Sequence, residues 1–278
     1  MTDTLGEGSI LADRYRINTL FARGDFSVVY LAHDLSFADP GRLLILKERT
    51  ITSSDATMHD MMVRNFEREA DLLATLSHPA IPRIHDYFTE RDLSYVVMEF
   101  IQGKDLSRIL HETDGFLAEE DVARWAVGIC DALQYLHFHR PHAIIHRDIK
   151  PQHAILDPDG QTHLVGFSIA RNYQPGQKGT ALGTSAYAAP EQYRGDASPR
   201  SDIYALGAAL YHLLTKKVPS HGHPLALSEE PIKRLNPGVS LTMQAVVSKA
   251  MDPNPDGRFE TAKEMKLALI GLGNEGSQ

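Results

Sequence analysis

With 278 residues, 42% of them hydrophobic and 23% charged, the chain is long enough for one two-lobed domain, or two small ones, around a sizeable core. A net charge of -8 without a clustered basic face argues against a general nucleic-acid or anionic-membrane surface. Cys130 is the single cysteine, so no internal disulfide is available and a reducing cytoplasm is expected. No run approaches the ~18 apolar residues of a membrane span, and Met1 to Thr4 is not a basic-then-apolar signal, so no secretion is expected either.

From Arg14 to about Phe100 the pattern favours strands. Ser27 to Leu31 and Leu43 to Leu46 are short β-type runs with turn chemistry at Asp39-Pro40-Gly41 between them, which predicts a hairpin. Asn65 to Leu76 switches to helical spacing, with Phe66, Glu69, Leu72, Leu73 and Leu76 recurring every three or four residues until His78-Pro79. Two further strands are predicted near Ile84 to Phe88 and Ser94 to Met98.

After Gly103 the period becomes that of helices. Val122, Trp125, Ala126, Ile129, Cys130, Leu133 and Leu136 form one apolar stripe, and Ile203, Leu206, Leu210, Leu213 and Leu214 another. Ser198-Pro199 supplies an N-cap and a first-turn proline for the second. Ile144-Ile145, Ala154 to Leu156 and His163 to Val165 are short strands. Val239 to Ala250 and Thr261 to Ile270 are the last helices. The pattern predicts an N-terminal extension over 1–13, a first lobe over 14–100, a second over 101–270 and a flexible tail over 271–278.

Ile145-His146-Arg147-Asp148-Ile149-Lys150-Pro151 resembles the catalytic loop of protein kinases, in which the Asp accepts the substrate hydroxyl proton and the Lys stabilises the transferred phosphoryl group. Lys47 at a strand end, Glu69 on the first helix, Gly183 to Tyr187, Ala189-Pro190-Glu191, Asp202 to Gly207 and Arg258 match the same family, and the likeness runs from Arg14 to Ile270. It is similar above all to bacterial Ser/Thr kinases of the eukaryotic type. The resemblance implies an α+β, two-lobed protein-kinase-like fold: a small N-terminal antiparallel β-sheet lobe with one main helix, and a larger, mainly helical C-terminal lobe. It further implies Asp148 and Lys150 as catalytic positions. Gly24, Val29, Ile45, Lys47, Glu69, Met98, Glu99, Ile101 and Ile155 become nucleotide-binding positions. Leu73, Ile84, His146, Phe167 and Asp202 form a packed spine, and Glu191 with Arg258 a structural ion pair.

Four departures from the family bear on chemistry. The phosphate-covering loop keeps only Gly24 of its three glycines, with Ala22 and Ser27 at the outer positions. Ile45 replaces an Ala over the adenine, where overpacking costs ~1–3 kcal/mol. His153 stands where the family has a metal-binding Asn, and Gly166-Phe167-Ser168 stands where it has Asp-Phe-Gly. Mg²⁺ wants oxygen ligands, which neither an imidazole nor a glycine side position supplies.

The resemblance with these departures implies a pseudokinase: a binding or scaffolding module with a protein partner in a bacterial signalling pathway, no cofactor, and at most weak ATP without Mg²⁺. A slow Ser/Thr kinase and a metal-independent nucleotide sensor are the alternatives. His153 is expected as a hydrogen-bonded loop histidine rather than a metal ligand, and no metal is expected. His137, His139, His142, His221 and His223 read as chance neighbours among 14 histidines. Thr180 and Thr184 are positions for phosphorylation near Arg147, and Pro219 to Pro237 is a candidate contact surface.

Overall fold

The computed structural model describes residues 5–23, 27–36, 42–49, 64, 67, 70–90, 93–167, 170–173, 186–219 and 231–275. Two compact units divide the chain. One comprises Met1–Ser77 with Pro82–Ile101, the other His78–Ile81 with Gln102–Gln278.

The first unit is a six-stranded antiparallel sheet in the order β1-β2-β3-β4-β6-β5. Its strands are β1 (Ile10–Leu11), β2 (Tyr15–Arg23), β3 (Ser27–Asp34), β4 (Leu43–Arg49), β5 (Ile84–Glu90) and β6 (Leu93–Glu99). Alternation decides the faces, because successive side chains on a strand point to opposite sides. Tyr30, Ala32, Leu44, Leu46, Tyr95 and Val97 join Leu11, Tyr15 and Ile17 in one core. Glu48 shares the buried side of β4 and bonds Tyr95 and Tyr30; burial pushes its pKa up. The alternate residues of β3 and β4 leave Val29, Leu31, Ile45 and Lys47 on the other face, where Ala70 and Val96 form a small second core beside Ile84 and Met98. Ala70 lies in the helical residues 70–74, called α1.

In the second unit α2 (Leu106–Glu112), α3 (Glu119–His137), α4 (Pro199–Thr215), α5 (Ile232–Leu235), α6 (Leu241–Ala250) and α7 (Ala262–Glu275) are joined by short strands. These are β7 (Lys104–Asp105), β8 (Ile144–Ile145), β9 (Ala154–Leu156), β10 (Thr162–Leu164) and β11 (Arg171–Asn172), arranged as β10-β9-β7 and β11-β8. Helix α4 is buried all round from Ser201 to Thr215, mainly through apolar side chains, as expected of a helix inside a helical layer. Its start follows the sequence signal: Pro199 opens the helix and the Ser198 N–H donates to Ser201 Oγ at 2.9 Å.

Three boundaries and one expected surface look different in the structure. Within the expected N-terminal extension over 1–13, Ile10–Leu11 pairs with Tyr15 and Arg16 as an edge strand of the sheet, and Leu11 is buried. His78–Ile81 belongs to the second unit. There the Ala80 carbonyl accepts the Leu164 N–H at 2.8 Å, and the His78 ring lies 5.0 Å from Tyr135. The supposed tail is helical as far as Glu275. Within Pro219 to Pro237, α5 carries a fully buried Ile232, so that part of the proposed contact surface faces the core; 220–230 lie outside the described residues.

Gly103 shows how tightly β7 meets β9. A Cβ there would lie 2.3 Å from the Leu156 carbonyl oxygen and 2.9 Å from Ile155 Cγ2, and neither neighbour is a flexible end. Gly103→Ala is expected to cost about 2–3 kcal/mol, visible as a lower urea midpoint at unchanged slope; an unchanged midpoint would refute it.

Candidate functional site

The loop from His146 to His153 is built from buried backbone outward. β8 brings the chain in fully buried, and Pro151, with its fixed φ, opens a 3-10 turn through His153 that leads into β9. Asp202, in the first turn of α4 and 0% exposed, anchors the loop. Its carboxylate accepts the His146 N–H at 2.9 Å, the Arg147 N–H at 2.8 Å and His137 Nε2–H at 2.9 Å. Burial alone would raise the Asp202 pKa, but His137 and the loop amides outweigh it and hold the carboxyl below its usual range. Arg147 adopts φ 67, a left-handed conformation costing a large side chain about 1 kcal/mol, and its carbonyl accepts Gln192 Nε2–H at 2.8 Å.

His146 is fully buried, which pushes its pKa down and leaves it neutral. The Val165 carbonyl, 3.0 Å from Nε2, can only accept, so Nε2 carries the proton and Nδ1 is free to accept the Asp148 N–H at 3.3 Å. One neutral ring thereby ties the catalytic-type loop to the segment before Phe167, whose ring meets it edge to face at 4.6 Å. These three spine positions, His146, Phe167 and Asp202, come together within the second unit. Leu73 is buried in the first unit, where Ile84 packs against Ala70 and Val96.

The Asp148 carboxylate is engaged. Lys150 Nζ donates to both its oxygens, at 2.9 and 3.1 Å. His153 Nδ1 donates to the Asp148 carbonyl at 2.8 Å and lies 3.3 Å from the carboxylate; burial pushes the His153 pKa down, so the ring is neutral. Gly166 has φ 85. The donor set that a divalent cation would meet here is one carboxylate already paired with an ammonium, a neutral imidazole whose Nδ1–H is spent, and a glycine. Those residues do not fit Mg²⁺. Among the described residues no group of three His, Cys, Asp or Glu is arranged to hold a metal ion.

In the first unit, register brings the nucleotide-type positions together. Val29 pairs with Lys47 and Lys47 with Val96, while Leu31 pairs with Ile45 and Ile45 with Met98. Lys47 thus lies beside Val29, with Ile45 one pleat further on the same face. The Glu99 N–H donates to the Arg83 carbonyl at 2.9 Å, and its carboxylate accepts the Arg83 N–H at 3.2 Å. Ile101 closes this unit, and Ile155 sits on β9 in the other. Gly24, Glu69, Ser168, Thr180, Thr184, His221 and His223 lie outside the described residues.

Glu191 and Arg258 form the expected pair, at 2.6 and 2.9 Å through Arg258 Nη1 and Nη2, and Ser201 Oγ–H donates to the same carboxylate at 2.6 Å. His137 was the histidine worth separating from its neighbours. It falls four residues after Leu133 on the buried stripe of α3, so helical spacing alone points it inward.

A catalytic-type loop anchored on a buried Asp, in a helical unit that the chain reaches after a six-stranded antiparallel sheet, is the arrangement of protein kinases. Residues 15–266 match the protein kinase domain, and the chain belongs to that family. It is 35% identical over 278 residues to serine/threonine-protein kinase PknB of Mycolicibacterium smegmatis, covering 94% of this chain and 43% of that protein. It is 34% identical over 284 residues to PknB of Mycobacterium tuberculosis, covering 96% and 44%. The chain therefore spans less than half the length of these curated relatives. The solved kinase domain of Mycobacterium tuberculosis PknI is similar in fold, with a TM-score of 0.76 at 25% identity over 96% of this chain and 99% of that one. No helix among the described residues is long and apolar enough to cross a membrane.

Proposed function

We propose that this chain is a pseudokinase: a kinase-fold module that acts in bacterial, cytoplasmic signalling by binding a protein partner, with impaired ATP binding and no efficient phosphoryl transfer. The observation that carries the reading is the state of Asp148, whose carboxylate is paired with Lys150 while the two positions that would bring a metal to it are His153 and Gly166. Metal stabilisation of the transferred group is worth several kcal/mol, and losing about 3–6 kcal/mol slows transfer roughly 10²- to 10⁴-fold. Ile45 shares a face with Lys47, and a side chain larger than the family's alanine there supports the reading of impaired ATP binding.

Thermal shift with ATP tests this. A nucleotide at ~100 times its Kd adds about 2.7 kcal/mol, or roughly 5–10 °C for a chain of this size. The expected shift is under about 2 °C and is not enlarged by Mg²⁺. A large Mg²⁺-dependent shift overturns the reading. The retention of Asp148, Lys150 and Lys47 favours a slow Ser/Thr kinase as the second reading, and it predicts radiolabel transfer that is lost in Asp148→Asn.

A further inference from the structure

His153 and Gly166 look in the sequence like two separate losses. In space they are one exchange. A Cβ built on Gly166 would lie 2.4 Å from His153 Nδ1, 2.5 Å from Cγ and 2.6 Å from Cε1, pressed against the imidazole far inside van der Waals contact. The backbone that carries the ring cannot shift cheaply, because it is bonded on both sides. The His153 N–H donates to the Lys150 carbonyl at 2.9 Å, and the His153 carbonyl accepts the Val165 N–H at 2.9 Å, one residue before Gly166. The ring's own Nδ1–H is held by the Asp148 carbonyl at 2.8 Å. The His146 ring, 6.4 Å away, stands on a further side.

We propose that His153 is a plug: its imidazole fills the space of a side chain at 166, and by occupying it the ring bars a divalent cation from the Asp148 carboxylate beside it. This rests on the proposed function and deepens it, since absence of a ligand is thereby replaced by presence of a packed group. A nucleotide taken by this chain is then taken as the metal-free anion. Supplying a carboxylate at 166 alone does not rebuild the site, because its first side-chain carbon meets the ring. Removing the ring alone does not rebuild it either, because no carboxylate is present.

Thermal unfolding of four versions of the 278-residue chain tests the plug: the parent, His153→Ala, Gly166→Ala and the double variant. Gly166→Ala is expected to melt about 5–10 °C lower, from collision with the ring and from a Cβ at φ 85. His153→Ala, which empties the space, is expected to lose about 3–6 °C. The double variant should melt several degrees above Gly166→Ala, so that one substitution destabilises the parent and stabilises the other mutant. Losses that simply add overturn the plug. Should Gly166→Ala give no folded protein, a folded double variant supports the proposal and an unfolded one overturns it. The cation is tested with manganese(II) alone by electron paramagnetic resonance on Gly166→Asp. No bound ion is expected while His153 is in place, and a bound ion overturns the plug. The melting cycle contains no nucleotide, so its failure is separate from a failure of the pseudokinase reading, which the ATP shift decides.

Discussion

Arg258→Ala is expected to lower the melting temperature by about 10 °C. The Arg258 side chain is 0% exposed and pairs with a Glu191 side chain that is 6% exposed. Its remaining donors go to the carbonyls of Asp252 at 2.8 Å, Arg200 at 3.0 Å and Pro253 at 3.3 Å, and its guanidinium lies 4.9 Å from the Tyr204 ring centre. Truncating one partner of such a pair strands a buried carboxylate and costs about 3–5 kcal/mol, at roughly 2–4 °C per kcal/mol. Arg258→Lys should recover little, since an ammonium cannot reproduce the planar fork. Burial works to raise the Glu191 pKa, but Arg258 and Ser201 outweigh it, so the folded value is depressed. The pair therefore stabilises fully above the ordinary glutamate range and loses its contribution as pH falls through the lowered folded value. Circular dichroism melts of parent and variant should converge in acid and diverge toward neutrality. A variant melting within 2–3 °C of the parent at neutral pH would refute the assignment.

The second large effect is expected at Asp202. Asp202→Ala leaves His137 Nε2–H and the amides of His146 and Arg147 without their acceptor in a buried site. Each stranded donor costs about 1–3 kcal/mol, so a loss of at least ~3 kcal/mol, or failure to fold, is expected. Asp202→Asn keeps the shape but turns two of its four hydrogen-bonding sites into donors. It should fold with intermediate stability and with faster hydrogen exchange at the His146 and Arg147 amides. Unchanged exchange at those two amides would show that Asp202 does not anchor the loop. His137→Ala should be milder, because the two loop amides retain their acceptor.

Much of this was legible in the sequence, for identifiable reasons. The strands of the first unit alternate and the long helices carry stripes, so periodicity finds them. The catalytic-type loop and Arg258 are found by motif. The two-residue strands Lys104–Asp105 and Arg171–Asn172 are too short for any period and exist only because a partner strand lies alongside. His78–Ile81 looks like a helix stop, and nothing local says that its backbone bonds to residue 164. The inward turn of His137 was available from spacing but masked by the company of His139 and His142. The nesting of His153 against Gly166 has no sequence signal, since the two residues meet only through the β9–β10 hairpin that folds one back beside the other.

That nesting has a consequence for descent. Substitutions arrive one at a time, and on the plug proposal each single step away from the present pair is expected to cost stability: one overcrowds the fold and the other hollows it. If His153 plugs the space beside Gly166, the pair acts as a ratchet, easy to keep and hard to undo, held in place by its own packing.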